Sequence, residues 1–370
     1  MIATGNTSAG GGEKHVLDLS AGLVHAGDEV MIVALGGGDV LDKAAALGCE
    51  TFEMKSFNPL SRTSQKALMS QVHEWRPDII HAHGPRAAYF VRNQKMESAP
   101  PLVYTIHGIH AGHGTLGTVK TAVERRDKNL VAAFIVTCEA DLIQGSQMGI
   151  LVPEKTTVIY NGVPEPQSVE QGTFRRTLDI EEDRLLILHV GRISAPKDHP
   201  TLLAGFDYAW GKAASDNKPV LVLVATGSSA DRKRLQRKID HLESRNDIFP
   251  LPAQGDLASA YTDADIFALS SLWEARPYVL VEAMQYGCTV VSTKVGGVGE
   301  VIQDAKTGIL VPSRDSQQLG EALYQLLVDE EMRLKLAEAG QNSMKERFSL
   351  DDMTSQTIAL YRKVLEGPAV

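Results

Sequence analysis

Met1-Ile2-Ala3-Thr4 is followed by Ser8-Ala9-Gly10-Gly11-Gly12-Glu13, by a run carrying Val16, Leu17, Leu19, Leu23 and Val24, and, after Gly27, by Glu29-Val30-Met31-Ile32-Val33-Ala34-Leu35. The five apolar positions of the run recur at helical spacing. The stretch after Gly27 reads as a buried strand. Strand, glycine turn, helix and strand together open a Rossmann-like unit of parallel sheet. Three glycines let a backbone approach a phosphate, and the start of the helix attracts its charge. The alternative is a plain flexible turn. The spacing is not that of the dinucleotide fingerprint, which disfavours NAD.

The alternation continues along the chain. Pro77-Asp78-Ile79-Ile80-His81-Ala82-His83-Gly84 and Pro101-Leu102-Val103-Tyr104-Thr105-Ile106-His107-Gly108 each read as a strand running into a loop, which puts His83 and His107 just past two strand ends. His110 and His113 follow in a glycine-rich loop; with no carboxylate or cysteine to complete a site, they do not predict a metal. Residues 119–130 form a helix with Lys120, Arg125, Arg126 and Lys128, read as a solvated face diluted by Glu124 and Asp127. Ala132–Thr137 and Val158–Tyr160 are further strands. Pro164 and Pro166 stand in a polar linker.

A second alternation starts at Leu185–Val190. That strand runs into Gly191-Arg192-Ile193-Ser194-Ala195-Pro196-Lys197, then a helix. Arg192 and Lys197 flank one loop, and two fixed cations beside a helix start suit a diphosphate. Val220–Ala225 is the next strand. Asp263-Ala264-Asp265 spells a metal-binding pattern but precedes a strand, so it reads as surface and capping. Ser271-Leu272-Trp273-Glu274-Ala275-Arg276-Pro277-Tyr278-Val279-Leu280-Val281-Glu282 carries two carboxylates. Glu274 is placed on a loop beyond a strand's C-terminal end and Glu282 in the first turn of the next helix. Ligands of open α/β sheets bind at that edge, and ionised carboxylates accept several hydroxyl donors. A carboxylate in a first helical turn also simply suits the helix dipole. Thr293-Lys294-Val295-Gly296-Gly297-Val298-Gly299-Glu300 is a further glycine loop opening a helix, suited to a phosphate or a close backbone approach. The last helix spans about 351–365.

A length of 370 residues predicts about two domains. The net charge of −9 gives no reason to expect nucleic acid. It is uneven: 14 basic against 16 acidic residues over 1–163, and 23 against 30 over 164–370. Eight of the eleven histidines fall in the first part, which suggests a cleft lined with imidazoles. Three cysteines, Cys49, Cys138 and Cys288, fit a reducing cytoplasm. No apolar run reaches the ~20 residues of a membrane span.

In this order, Gly-Gly-x-Glu at 10–13, Asp-Ile-Ile-His-Ala-His-Gly at 78–84, Thr-Ile-His-Gly at 105–108, Val-Ile-Tyr-Asn-Gly-Val at 158–163, Val-Gly-Arg followed by Lys197, the Glu274/Glu282 pair and Val-Gly-Gly-Val-Gly-Glu-Val-Ile at 295–302 resemble glycosyltransferase family 4 over nearly the whole chain. The resemblance implies the GT-B architecture, an α/β fold of two Rossmann-like domains facing across a cleft. The acceptor-side domain would be 1–163, completed by a C-terminal helix at about 351–370, and the donor domain 164–350. It implies a metal-independent hexosyltransferase that moves a sugar with retention from a nucleoside-diphosphate sugar, UDP- or GDP-linked, to a hydroxyl acceptor, with no cofactor. Polysaccharide or glycoconjugate synthesis in the cytoplasm or at the inner face of the membrane is the setting such enzymes imply. The acceptor, whether sugar, lipid-linked or other, is unread, and peripheral membrane contact through the 119–130 helix stays open.

By the same resemblance, Arg192 and Lys197 would hold the donor diphosphate, Glu282 the ribose hydroxyls and Glu274 the donor sugar. His107 would lie near that sugar, Gly11 and Gly12 would approach the phosphate, and Gly296 and Gly297 would complete the donor loop. One departure is Ala275-Arg276-Pro277, where the family commonly has Gly-Phe-Gly; Arg276 would suit an acidic sugar. Two other readings remain: a nucleotide-sugar epimerase or phosphorylase on the same fold, and a non-catalytic two-lobed sugar-binding protein.

Overall fold

The computed structural model describes residues 2–4, 10–35, 39–55, 58, 61–93, 100–109, 115–215, 218–253 and 257–367. The chain divides into two compact units, Met1–Pro164 with Phe348–Val370, and Glu165–Arg347.

The first unit runs β1 (Ile2–Thr4), α1 (Gly11–His25), β2 (Met31–Leu35), α2 (Asp39–Ala46), β3 (Glu50–Met54), α3 (Arg62–Trp75), β4 (Ile80–His83), α4 (Gly84–Arg92), β5 (Leu102–Ile106), α5 (Thr115–Asp127), β6 (Ala133–Val136), α6 (Glu139–Gln147) and β7 (Thr156–Val158). Its seven strands are all parallel, in the order β3-β2-β1-β4-β5-β6-β7. Consecutive parallel strands need a crossover, and the helices that supply it cover both faces. One core gathers Leu68, Phe90, Tyr104 and Phe134, the other Val16, Leu19, Leu23, Ile32 and Ile135.

The second unit runs α7 (Thr173–Thr177), β8 (Leu186–Arg192), α8 (His199–Lys212), β9 (Val220–Thr226), α9 (Ser229–Ile239), β10 (Ile248–Pro252), α10 (Ala258–Asp263), β11 (Ile266–Leu269), α11 (Tyr278–Gln285), β12 (Thr289–Thr293), α12 (Val298–Val301), β13 (Ile309–Val311), α13 (Ser316–Val328) and α14 (Glu330–Arg347). Its six parallel strands are ordered β10-β9-β8-β11-β12-β13. Leu202, Phe206, Leu221, Leu223 and Leu323 fill its core.

The last helix, α15 (Leu350–Glu366), belongs to the first unit. It packs Met353 and Leu360 into the core that α1 lines. Ser349 caps it by accepting from the Asp352 amide at 3.0 Å.

Several local expectations change. Gly11 and Gly12 do not form a turn; they are the first two residues of α1, with Gly10 extended at φ −154 as its N-cap. β4 runs straight into α4 without a loop, so His83 is both the last strand residue and the helix N-cap. β8 extends to Arg192 because its pairing with β9 continues to Arg192↔Thr226, so Arg192 ends a strand and does not sit in a loop. Glu282 is in the second turn of α11, whose first turn holds no acid. Asp263 is not at the surface. At 4% exposure, its carboxylate accepts from the amides of Gly172, Phe174 and Arg175 and thereby caps α7. Asp265 takes Arg175 at 2.7 Å and the Leu186 amide at 2.8 Å. Both carboxylates of this pair therefore serve the fold. His110 and His113 lie outside the described residues.

Helices α1 and α15 meet at Gly22. A Cβ there would stand 2.1 Å from Thr354 Oγ1 and 2.9 Å from its Cγ2. Overpacking a well-filled contact costs about 1–3 kcal/mol. Gly22→Ala should therefore lower stability by that amount in urea unfolding, although alanine favours a helix by about 1 kcal/mol over glycine. Thr354→Ala should recover most of the loss in the double variant. Additive losses would show that the two helices do not touch there.

Candidate active site

In each sheet the strand order turns back on itself once, between β1 and β4 in the first unit and between β8 and β11 in the second. Loops leaving the C-terminal ends of such neighbours diverge and open a crevice between them. The residues singled out in the sequence gather beside these two points, one cluster in each unit.

In the second unit, β8 delivers Arg192 and then a 3-10 turn, Ala195–Lys197. β11 delivers Ser270, Ser271 and Glu274. Lys197 Nζ lies 2.5 Å from Glu274 Oε1, which also accepts from Ser271 Oγ at 2.6 Å. The two loops are locked by backbone as well: Leu272 N donates to Pro196 O at 2.7 Å, and Ser270 Oγ to Lys197 O at 2.8 Å. Thr293 Oγ1, at the end of β12, donates to Ser271 O at 2.6 Å. The lysine and glutamate side chains are 16% and 13% exposed, so the pair is screened less than a surface ion pair. Arg192 is exposed at the same strand end, and its guanidinium has no hydrogen-bond or ion-pair partner among the described residues.

Gly296 and Gly297 close this cluster from behind. Gly297 N donates to Glu274 O at 3.2 Å. Gly296 has φ +48, and a Cβ on it would fall 1.8 Å from that same carbonyl. Both the conformation and the space therefore demand glycine. Glu282 lies one helix further on, where its Oε2 accepts from the buried Tyr261 Oη at 3.0 Å. Arg276 is 4% exposed, part of the loop's interior.

In the first unit, α1 brings His15, β4 brings His81 and His83, and the residue after β5 is His107. His83 Nδ1 and His107 Nε2 are 3.1 Å apart. His81 uses both ring nitrogens, one with Thr105 Oγ1 at 2.7 Å and the other with Tyr361 Oη of α15 at 2.6 Å. Gly12 faces the His107 ring, with a hypothetical Cβ 3.7 Å from Cδ2. That is ordinary contact, so no described neighbour forces glycine at position 12. Gly11 is simply the first helical residue. Burial dominates the imidazole titrations. His81 is pushed down to about 3 by burial and then by His107, and His107 to about 4 by burial. His15 and His83 are held well below the ordinary value, by burial first and by neighbouring histidines second. In the second unit His189, bonded to Ala268 O at 2.8 Å, is also held well below it, and His199 lies at about 4, both chiefly through burial.

The basic residues of α5 and the turn after it are largely engaged with the fold. Arg125 Nε donates to Met148 O, Arg126 pairs with Asp127, and Lys128 Nζ donates to Gly149 O. Among the described residues no helix is long and apolar enough to cross a membrane.

Ser271, Tyr261, His15 and His81 were not singled out for the site. Ser271 stood beside Glu274 without a spacing to mark it, and Tyr261 reaches Glu282 across 21 positions. His81 and His83 did carry a signal: alternate residues of a strand share a face.

Two family models between them match most of the chain. Glycosyltransferase family 4 matches residues 9–165, and glycosyl transferases group 1 matches residues 170–343. The chain belongs to the group 1 glycosyltransferases, family 4. An uncharacterized glycosyltransferase of Methanocaldococcus jannaschii is similar at 25% identity, over 96% of this chain and 95% of that one. N-acetyl-alpha-D-glucosaminyl L-malate synthase of Bacillus anthracis is also 25% identical, over 78% and 75%. Among solved structures, a glycosyltransferase of Rickettsia africae superposes with a TM-score of 0.83 at 18% identity, covering 99% of both chains. HepE of Anabaena, solved with UDP and glucose, gives 0.84 at 22%, covering 97% and 98%. The fold is GT-B.

Six imidazoles held below their ordinary titration have a consequence for stability. An unfolded histidine titrates near 6.5, whereas each of these titrates lower in the folded protein. Between those limits the unfolded chain binds more protons, so stability is full above about pH 6.5 and falls as pH drops. Each group contributes a slope of up to about 1.4 kcal/mol per pH unit. Carboxylates held low, such as Asp127 and Asp315, act only in a more acidic window. The urea midpoint should therefore fall steadily from pH 7 to pH 5, and less steeply in His81→Asn. A flat midpoint over that range would show the imidazoles to be accessible to protons.

Proposed function

We propose that the protein transfers a sugar, with retention of anomeric configuration, from a nucleoside-diphosphate sugar to a hydroxyl acceptor. The Lys197–Glu274 contact at the turning point of the second sheet is the observation that carries the reading. In this account the pair is a placeholder for substrate. The donor diphosphate takes Lys197 together with Arg192, whose guanidinium offers a planar fork to phosphate oxygens. Glu274, released from the lysine, accepts hydroxyls of the donor sugar while Ser271 keeps its carboxylate oriented. Glu282, steadied by Tyr261, takes the ribose hydroxyls. The Gly296–Gly297 loop sets the position of the Glu274 backbone.

The chemistry then follows from charge. Departure of the diphosphate leaves an oxocarbenium-like sugar and builds negative charge on the leaving group. Two fixed cations stabilise that charge as it forms, with no metal required. His107, held neutral by burial, is a hydrogen-bonding group at the strand ends of the first unit. Gly12, which no described neighbour requires to be glycine, leaves room beside it.

A UDP donor is favoured by analogy with HepE, whose structure holds UDP and glucose. The acceptor bears a hydroxyl and belongs to surface polysaccharide or glycoconjugate assembly. Three buried free cysteines suit action in the cytoplasm.

Thermal shift against UDP, GDP, ADP and dTDP tests the donor site. A ligand at about 100 times its dissociation constant adds about 2.7 kcal/mol. One nucleoside diphosphate should raise Tm clearly in the wild type and hardly at all in Arg192→Ala. No shift with any of them at millimolar concentration, in a folded sample, would overturn the transferase reading and favour a binding protein for other ligands. Once a donor is found, NMR of the product should show an unchanged anomeric configuration.

A further inference from the structure

His15, His83 and His107 converge from three elements, α1, β4 and the turn after β5, until one ring nitrogen of each lies within 4.8 Å of the other two. Their ring centroids are 4.8 to 5.3 Å apart. We propose that these three imidazoles form a site for a transition-metal dication of the zinc class, and that an ion bound there sequesters His107.

The donor set decides the class of ion. Three neutral imidazoles are borderline-soft ligands, suited to Zn²⁺, Cu²⁺ or Ni²⁺ and ill suited to Mg²⁺ or Ca²⁺, which take oxygen. Zinc binds imidazole nitrogen at about 2.0–2.1 Å. Tetrahedral geometry then sets neighbouring nitrogens roughly 3.4 Å apart. His83 Nδ1 and His107 Nε2 already stand at 3.1 Å. The widest separation, up to 4.8 Å, has to close by about 1.4 Å to reach that spacing. Three protein ligands leave a fourth position open, the arrangement of exchangeable zinc.

The ion takes His83 through Nδ1, in place of the His83–His107 hydrogen bond. His81 is excluded as a fourth ligand because Thr105 and Tyr361 occupy both its nitrogens.

The site is tested on the full chain with metal alone and no sugar nucleotide, so its failure is separate from failure of the transferase reading. Calorimetry with Zn²⁺ should give one ion per chain. His15→Gln and His83→Gln should each weaken it about 100-fold or more, since even partners behind a ligand are worth 10–100-fold. A variant lacking the exposed His25, His73 and His241 should bind as the wild type does. Co²⁺ in the wild type should give the intense visible absorption of a four-coordinate nitrogen site, a readout that needs no variant to fold. No binding, loss of binding in the surface-histidine variant, or a weak octahedral cobalt spectrum would each overturn the proposal.

Discussion

A parallel sheet whose strand order reverses leaves an opening beside two neighbouring strands, and in this protein the chemistry-bearing side chains stand at such openings. At β8 and β11 the opening holds a lysine, an arginine and a glutamate. At β1 and β4 it holds histidines and the start of a helix. Nothing in the local sequence brings Lys197 to Glu274 across 77 positions. The register Ile266↔Ile187 and Phe267↔Leu188 does, by setting the two strands side by side so that the loops beyond them meet. The hydrogen bonds from Leu272 to Pro196 and from Ser270 to Lys197 then fix the separation.

The two clusters solve opposite electrostatic problems. In the second unit, opposite charges meet in a partly buried place, and their attraction offsets part of the cost of leaving water. In the proposed account a diphosphate replaces the glutamate as the lysine's partner. In the first unit the histidine cluster holds no counter-charge among the described residues, and burial removes the charge itself. A neutral imidazole is both a hydrogen-bonding group and a metal ligand, and which of these His107 performs depends on what reaches it.

The fold class was legible because strand and helix alternate twice, each time with apolar runs of the right length. Of the strands not named in the sequence, β12 (Thr289–Thr293) is fully buried and gave no sign that explains its omission, whereas the other three have physical reasons. β10 contains Pro250 and Pro252, residues that weaken a strand reading and that the structure tolerates at the sheet's edge. β3 is an edge strand with mostly exposed side chains, and β13 has three residues. Glu274, Arg192, Lys197 and the Gly296–Gly297 pair were visible from motif order. Their partners Ser271, Tyr261 and Thr293 were not, since hydroxyls are common and only tertiary contact gives these three a role. The reading of Glu282 as a first-turn residue failed because Pro277 caps α11 and Tyr278 begins it, which moves the glutamate a turn inward.

The most direct test is calorimetry of the matching nucleoside diphosphate, without its sugar, on Glu274→Gln and Lys197→Met. If Lys197 exchanges a carboxylate for a diphosphate, removing the carboxylate's charge must tighten the diphosphate's binding, while Lys197→Met must weaken it. Should Glu274→Gln instead weaken diphosphate binding as much as Lys197→Met does, the ion pair would be part of the scaffold and not a placeholder for the donor.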